Sequence, residues 1–352
     1  MAQHLRVGVI GTGFGSLVQI PAFQAHPRVE VVAVASGTPG KARAIAGRTG
    51  IPHAFDRWEA LVEADLDLVS ITAPPALHRP MALAALDAGR HVVCEKPMAL
   101  STAEAEEMLG RAERARRLHV IDHELRFNPN RRKVRALLEQ GFVGRPRHAL
   151  VVAVNASRLD PAKPWGWWFD AARGGGLLGA VGSHQVDLLR YWLGDIDAVT
   201  GTADPVVRER PLPDGGARPV TADEFTTFSL RFRSGAVATI LLSAVVTHAV
   251  GPRIELWGDE GALVLDGDER LWGARGGAPL EELTERETLT APPGMEYVPL
   301  WGLSFVRLVD HLAAAALDGA PVAPAATFAD GLAVQRVLDA VRAATRSAWI
   351  RV

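Results

Sequence analysis

The first 122 residues alternate between short apolar runs and longer stretches with helical periodicity. The apolar runs are rich in β-branched residues, which is typical of strands buried on both faces of a parallel sheet. The predicted strands are Leu5–Ile10, Val29–Ala35, Leu66–Thr72, His91–Glu95 and His119–Asp122. The predicted helices are Lys41–Arg48, a helix that ends at Ala88, and Ser101–Arg117, which opens with a capping box. This alternation predicts a doubly wound parallel sheet with helices on both faces, in a domain over residues 1–122.

After residue 122 the apolar residues recur with a period of two. Thr226–Phe232 and Ala236–Val246 alternate in this way and are joined by a short turn, which predicts an antiparallel or mixed sheet. The other predicted elements are a strand at Arg147–Ser157 and helices at Pro129–Gln140, Val181–Leu193, Ser304–Leu317 and Phe328–Thr345. Residues 208–222 and 274–296 are rich in turn formers and charge and are predicted to be surface loops. We expect a second α/β domain over residues 123–352.

Composition narrows the class of protein. The chain has 352 residues, 48% hydrophobic and 22% charged, with a formal net charge of -2 and no basic block. This argues against nucleic acid or an anionic membrane as a partner. Its one cysteine, Cys94, excludes an intrachain disulfide and a cysteine-based zinc site and fits a reducing compartment. With no leader-like N-terminus and no apolar run of membrane-spanning length, we expect a cytoplasmic enzyme.

A glycine-rich turn directly follows the first predicted strand. It reads Gly11-Thr12-Gly13-Phe14-Gly15-Ser16. In this setting main-chain N–H groups at a helix start can hold the pyrophosphate of a dinucleotide. Gly11 would allow the tight turn and Gly13 the close approach of the phosphates. Ser16 stands at the third fingerprint position, where Gly or Ala is usual.

The end of the second strand bears on which dinucleotide binds. An acidic residue there would bond the ribose hydroxyls of NAD and repel a 2′-phosphate. This chain has Ser36, Thr38 and Lys41 in that region, and hydroxyls with a lysine would accept a phosphate. The pattern favours NADP(H). The alternative is a loop that tolerates both cofactors, with Lys41 merely solvated.

Lys96 is the candidate acid–base residue. It lies in Cys94-Glu95-Lys96-Pro97, at the carboxyl end of a predicted strand, and the proline restricts it to extended geometry. An ammonium near an oxidised nicotinamide has a lowered pKa, which suits it to exchange a hydroxyl proton. The alternative is a solvated surface lysine, which the position at the sheet edge disfavours.

A third group of candidate residues lies between 165 and 187. The segment from Gly174 to Asp187 begins with three glycines, which allow close approach of a ligand to the backbone. His184 and Asp187 are three apart on a predicted helix and could pair, although a lone histidine is more often structural. The preceding Trp165-Gly166-Trp167-Trp168-Phe169-Asp170 could wall a sugar, with at least two of its aromatic residues expected to be core residues.

These residues together make the chain resemble the Gfo/Idh/MocA family, the relatives of glucose–fructose oxidoreductase and inositol dehydrogenase. The resemblance covers nearly the full length. The motifs that carry it are the glycine turn, Thr72-Ala73-Pro74-Pro75 followed by His78, Glu95-Lys96-Pro97, Arg126-Phe127-Asn128-Pro129, the segment from Gly174 to Asp187, and Thr327-Phe328-Ala329-Asp330-Gly331.

The resemblance implies a Rossmann domain followed by an α/β domain on a large open, mostly antiparallel sheet, whose free face usually forms a homodimer or homotetramer interface. It implies hydride transfer between a nicotinamide and a hydroxyl-bearing carbon of a sugar, sugar derivative or cyclitol, with no metal. The implied catalytic residues are Lys96 and His184, and both also face the substrate with Arg126, Trp168 and Asp187. The implied cofactor contacts are Gly11, Thr12, Gly13, Phe14, Gly15, Ser36, Thr38, Lys41, Thr72, Pro74, His78, Glu95 and Lys96.

One position departs from the family pattern. Family dehydrogenases often carry an aspartate four residues before the histidine, where this chain has Ala180. The loss puts the full proton relay in doubt and leaves Lys96 as the leading base. Ala180 keeps one alternative open, a weakly catalytic, dinucleotide-binding regulator or sugar sensor. The resemblance leaves a second alternative, an NAD-dependent glycosidase that oxidises its substrate transiently.

Overall fold

The structure, a computed structural model, describes residues 4–249, 251–298 and 300–344. The strands and helices up to residue 128 are β1 (Leu5–Ile10), α1 (Ile20–Ala25), β2 (Val29–Ala35), α2 (Lys41–Thr49), β3 (His53–Phe55), α3 (Trp58–Glu63), β4 (Leu68–Ile71), α4 (His78–Asp87), β5 (His91–Cys94), α5 (Thr102–Ala115) and β6 (His119–Ile121). The predicted strands and helices are confirmed, with ends that shift by a few residues. The sequence analysis missed β3 and α3, because each is short.

The elements after residue 128 are α6 (Pro129–Glu139), β7 (Pro146–Val154), α7 (Ser183–Leu193), β8 (Ile196–Asp204), β9 (Glu209–Pro211), β10 (Ala217–Pro219), β11 (Phe225–Phe232), β12 (Val237–Ser243), β13 (Arg253–Gly258), β14 (Gly261–Leu265), β15 (Leu271–Arg275), β16 (Glu281–Glu282), α8 (Leu300–Asp318) and α9 (Phe328–Ala344). The predicted loop over 208–222 is wrong in part, because β9 and β10 pair as a small antiparallel ribbon. Arg210 of β9 is fully buried.

The chain forms two compact units. The first unit holds residues up to 128 together with 288–332, and the second unit holds 129–287 and the residues after 332. The sequence analysis expected a single boundary at residue 122. The structure differs because the apolar face of α8 belongs to the core of the first unit, where Phe305 packs edge-on against Phe23 with ring centres 5.4 Å apart.

The first unit is built on one parallel sheet in the order β3-β2-β1-β4-β5-β6. Its apolar layers lie on both faces: α1, α2 and α8 contribute to one, and α3, α4 and α5 to the other. The predicted doubly wound sheet is confirmed. The order in which strands are added reverses between β1 and β4, because β2 and β3 lie on one side of β1 and β4 to β6 lie on the other. The loops that follow β1 and β4 therefore diverge and open a crevice at the carboxyl edge of the sheet.

Helix α8 is long and apolar enough to cross a membrane, by length and composition alone, with 19 residues and a hydropathy of 1.3. Arg307 and Asp310 interrupt its apolar residues, so the expectation of no uninterrupted apolar run of membrane-spanning length is not contradicted. Leu308, Val309 and Leu312 of this helix are buried in the core of the first unit. The helix therefore packs as a core helix there.

The second unit is built on an eight-stranded sheet in the order β16-β15-β14-β13-β7-β12-β11-β8. Among the described strands of this sheet, β7 and β12 alone pair in parallel and the other pairs are antiparallel, as predicted. One face packs against α6, α7 and α9 through residues such as Val134, Leu189 and Leu338. Burial alternates along β11 and β12, which leaves the opposite face partly exposed.

Candidate active site

The glycine turn follows β1 at the carboxyl edge of the parallel sheet. Gly11 has a φ of +106°, and a Cβ there would lie 2.3 Å from the Thr72 hydroxyl oxygen, so this position requires glycine. Gly13 differs, since a Cβ there would meet no atom within 4 Å. The open space at Gly13 and the helical residues from 15 onward fit the pyrophosphate of a dinucleotide.

Three contacts made by hydroxyl groups support this turn. Ser16 donates to the Thr12 carbonyl oxygen at 2.9 Å, so the unusual residue of the fingerprint closes the turn from within. Thr72 donates to the Ile10 carbonyl oxygen at 3.0 Å and thereby ties the end of β4 to the end of β1. The Thr12 hydroxyl lies 3.2 Å from that of Ser36, which brings the end of β2 to the same edge.

The loop after β2 holds the residues predicted to select the cofactor. The Ser36 hydroxyl accepts a hydrogen bond from the Thr38 N–H at 3.2 Å, and Lys41 is exposed at the start of α2. Asp56, which the sequence analysis did not single out, accepts one from the Gly40 N–H at 3.4 Å. One carboxylate therefore contacts the backbone of this loop between Thr38 and Lys41, and no local pattern could have revealed it.

His78 joins the loops that follow β4 and β5. It is fully buried, with one ring nitrogen 2.9 Å from the Pro97 carbonyl oxygen and the other 2.8 Å from that of Ala73. Burial lowers the pKa of this imidazole, so the neutral ring donates to one carbonyl at a time. His78 thus holds the Pro74 loop against the loop of Lys96. Pro74 itself leads into a 3₁₀ turn at Pro75–Leu77.

A buried polar cluster lies beneath the glycine turn. The Gln19 amide donates to Glu95 at 3.2 Å and to Asp122 at 2.8 Å, and its carbonyl accepts from the Ser70 hydroxyl at 2.5 Å. Asp122 is also hydrogen-bonded to Glu95 and to Glu124. The ends of β4, β5 and β6 thus meet the first turn after the glycines. Of these residues, only Glu95 was predicted from the sequence as a site residue.

Crowding of acids alters their protonation. Burial and then the charge of Glu95 raise the pKa of Glu124 to about 8. Burial, with the charges of Glu124 and Glu95, raises the pKa of Asp122 well above its ordinary value. Burial also raises the pKa of Glu95, although the charge of Lys96 opposes this. Because carboxylates only accept hydrogen bonds, carboxyls bonded to one another must share protons.

Lys96 is half-buried and lies two residues after the end of β5, with Glu95 between them. Its main-chain N–H donates to the Glu95 carboxylate at 3.2 Å, and the Lys96–Pro97 peptide bond is cis. The predicted substrate residue Arg126 is buried in the first unit, 3.3 Å from the Asp330 carboxylate. The 327–331 motif, which contains Asp330, therefore contacts the 126–129 motif.

Phe14 of the glycine turn contacts a segment near the C-terminus. Its ring centre lies 6.0 Å from that of Tyr297, and the Glu296 N–H donates to the Leu17 carbonyl oxygen at 2.8 Å. Both contacts are within the first unit.

In the second unit His184 and Asp187 are buried on α7, three residues apart on one face. Ala180 lies in the π-helical turn Leu178–Gly182 that precedes this helix. Of the aromatic residues between 165 and 169 only Phe169 is fully buried, so the expectation of at least two core residues is wrong. Trp168 is 44% exposed and stacks on Trp167 with ring centres 4.1 Å apart.

The glycines before α7 are required by protein contacts. A Cβ on Gly175 would lie 2.5 Å from the Trp168 carbonyl oxygen, and one on Gly176 would lie 2.2 Å from the Asp223 carboxylate. The Gly176 N–H donates to the Trp168 carbonyl oxygen at 3.1 Å. The tryptophan loop and the glycine segment thus form one packed structure.

Comparisons with known proteins agree with this architecture. A family model described as an oxidoreductase family with an NAD-binding Rossmann fold matches residues 5–123, and one of the GFO/IDH/MocA C-terminal domain matches residues 131–264. An uncharacterized oxidoreductase of Synechocystis sp. is 34% identical over 303 residues, 83% of this chain and 81% of the relative.

Levoglucosan dehydrogenase of Pseudarthrobacter phenanthrenivorans is 28% identical over 390 residues, 99% of this chain and 98% of the relative. A solved structure of levoglucosan dehydrogenase in complex with NADH has a TM-score of 0.87 and 25% identity, and the match covers 98% of this chain and 97% of that one. The chain belongs to the Gfo/Idh/MocA family of oxidoreductases, and its N-terminal part is an NAD-binding Rossmann fold.

Proposed function

We propose that this protein is an NADP(H)-preferring dehydrogenase that acts on a hydroxyl-bearing carbon of a sugar, a sugar derivative or a cyclitol. The observation that carries the proposal is the placement of Lys96. Lys96 comes after β5, the neighbour of β4, and the glycine turn after β1 lines the crevice between β1 and β4. Hydrogen bonds from His78 to Pro97 and from the Lys96 N–H to Glu95 hold the loop of Lys96. The similarity to levoglucosan dehydrogenase supports a sugar-like substrate.

In this proposal each residue of the first unit has one task. The N–H groups after Gly11 and Gly13 bind the pyrophosphate, with Thr12 and Phe14 beside it and Gly15 packed on Thr72. The bound nicotinamide supplies the hydride acceptor. Lys96 takes the hydroxyl proton on Nζ, and its charge then stabilises the developing alkoxide.

Three residues of the second unit are also proposed to serve this reaction. We assign His184 as the second catalytic residue, on the family resemblance, and Asp187 as its neighbour on α7. Trp168 is assigned to the substrate because its exposed, stacked indole offers a flat apolar face, which suits a sugar ring. Arg126 is buried against Asp330 and donates to the Pro324 carbonyl oxygen at 3.3 Å, so we assign it a structural role in the first unit rather than contact with the substrate.

The test is a panel of aldoses, inositols, levoglucosan and their keto forms, followed by the absorbance of NADPH or NADH. Lys96→Ala is expected to lower turnover of the best substrate by about two to four powers of ten, the usual contribution of general acid–base catalysis. Its cofactor Kd should change much less, because main-chain groups hold the pyrophosphate. Unchanged turnover in Lys96→Ala, or tight cofactor binding with no turnover across the panel, contradicts the proposal.

The NADP(H) preference rests on Ser36, Thr38 and Lys41. Ser36→Asp should shift binding toward NAD, because its carboxylate would repel a 2′-phosphate. Asp56→Asn is the opposite change: it removes the carboxylate that already contacts this loop, so NADP binding should tighten. Fluorescence titration of both cofactors measures this. Tighter binding of NAD than of NADP by the wild type would overturn the preference.

A further inference from the structure

A buried charge cluster lies beneath the tryptophan loop of the second unit. It consists of Arg158, Arg210, Asp223 and Glu224, all at most 9% exposed, and its two guanidinium groups lie beside the ring of Phe169. The Arg210 guanidinium lies 4.2 Å from the Phe169 ring centre, and that of Arg158 lies 5.8 Å from it. Buried charges of this number persist only when paired and hydrogen-bonded. The four are two cations and two anions.

Within this cluster Arg210 and Glu224 are bonded to each other and to the backbone. They lie 2.7 Å apart, and Arg210 also donates to the carbonyl oxygens of Asp160 and Arg158. Glu224 accepts from the Val207 N–H at 2.8 Å. These bonds tie β9 and β11 to the chain that leads into the tryptophan loop, which is a structural role.

Asp223 acts on the other side, toward α7. Its carboxylate accepts from the Leu178 N–H at 2.7 Å, and its carbonyl oxygen accepts from the Leu177 N–H at 3.0 Å. These are the first amides of the helical segment that contains His184. An anion at a helix start satisfies amides that lack partners within the helix and interacts favourably with the helix dipole.

Arg158 connects the two sides. Its guanidinium donates to the Asp223 carbonyl oxygen at 3.3 Å and lies 5.9 Å from the ring centre of Trp168. Burial lowers the pKa of this guanidinium, and the charges of Asp223 and Glu224 oppose that shift. The side chain of Arg158 therefore lies against both Asp223, which holds the helix start, and the exposed indole of Trp168.

We infer that Arg158 and Asp223 are positioning residues that set the Trp167–Trp168 stack and the start of the His184 helix together, so that neither segment moves alone. This inference rests on the proposed function for the importance of Trp168 and His184. A displacement of about 1 Å at such groups costs about 100-fold in rate. The pair would therefore determine how precisely a sugar ring is held for reaction.

The test measures both segments in the full-length protein without a substrate. Hydrogen exchange by mass spectrometry follows the amides of residues 176–184. Circular dichroism follows the couplet of the two stacked indoles, with Trp168→Phe as the reference that removes it. Arg158→Met keeps the length of the side chain and removes its charge, and Asp223→Leu removes the acceptor of the helix amides.

Each variant is expected to change both signals. Exchange over residues 176–184 should quicken about tenfold or more, as for a helix start that loses its hydrogen bonds, and the couplet should weaken. Asp223→Asn keeps an acceptor oxygen and should restore most of both signals. Arg147→Met and Asp259→Asn, which remove an exposed pair 2.9 Å apart in the same unit, are the matched controls and should leave both signals at wild-type values.

Two results would overturn the inference. In the first, Arg158→Met changes only the indole couplet and Asp223→Leu changes only the hydrogen exchange. In the second, Asp223→Asn and Asp223→Leu change both signals equally. Lys96→Ala should leave both signals unchanged. A substrate panel without turnover would refute the proposed function and leave these two signals, and the coupling they measure, intact.

Discussion

At the scale of the residue, the carboxyl of Glu124 shows how the fold changes the pKa of a side chain. It is buried beside Asp122 and Glu95, and its pKa is raised to about 8 from an ordinary 4.5. The folded chain therefore holds a proton that the unfolded chain releases near pH 4.5. The contribution of this group to the free energy of unfolding is fully present below that pH, and it is lost as the pH rises toward about 8.

Glu124→Gln should remove this dependence, because an amide cannot ionise. The free energy of unfolding of the wild type should fall between pH 5 and pH 8 by at most about 1.4 kcal/mol per pH unit for this one proton, and the variant should fall less steeply. Urea unfolding at a series of pH values measures both slopes. Glu63→Gln, an exposed change on α3, is the control, and equal slopes in wild type and Glu124→Gln would contradict the assignment.

At the scale of the element, the glycine turn separates a glycine needed for folding from one needed for binding. Gly11→Ala places a Cβ against Thr72 in a backbone conformation that favours glycine, and it should destabilise the protein by about 1–2 kcal/mol or more. Gly13→Ala adds a Cβ in open space, so stability should stay within about 0.5 kcal/mol of wild type. Its dinucleotide Kd should nevertheless rise about tenfold or more, because the added methyl occupies the space that the phosphates need.

Thermal unfolding and cofactor titration of the two variants separate these effects. The glycine turn would lose its assigned role if Gly13→Ala bound NAD and NADP as tightly as the wild type. A stable Gly11→Ala would show that Thr72 moves aside.

At the scale of the whole molecule, we propose that the open face of the second sheet forms a homodimer or homotetramer interface. Leu150, Val152 and Leu241 lie there on adjacent strands β7 and β12 and are only partly covered by their own chain. Thr239 lies beside Leu150 on the same face and is exposed, so the face is not wholly apolar. Burial of this face against a second copy would remove apolar surface from water.

Light scattering at micromolar concentration should give the mass of a dimer or tetramer. Leu241→Arg should shift the mass toward the monomer, because it places a charge at the centre of the face. Leu280→Arg, a change at an exposed leucine elsewhere in the second unit, should leave the mass unchanged. A monomeric wild type would contradict the proposal.

The sequence by itself determined the elements and the motifs at their ends. Val29–Ala35 is a strand over the predicted residues, and Ser101 caps α5 by accepting from the Glu104 N–H, because strand period and helix caps are local properties. The glycine turn and the Lys96 loop were predicted at strand ends for the same reason.

Only the tertiary structure decided which distant residues meet. Asp122 joins Glu95 because β5 and β6 are neighbours in the sheet, and Asp223 reaches Leu178 across 45 residues of chain. The return of α8 to the first unit was likewise invisible, since an apolar helix face does not specify which core buries it. Local pattern depends on neighbours along the chain, whereas burial and charge pairing depend on strand order and packing, which no short stretch of sequence contains.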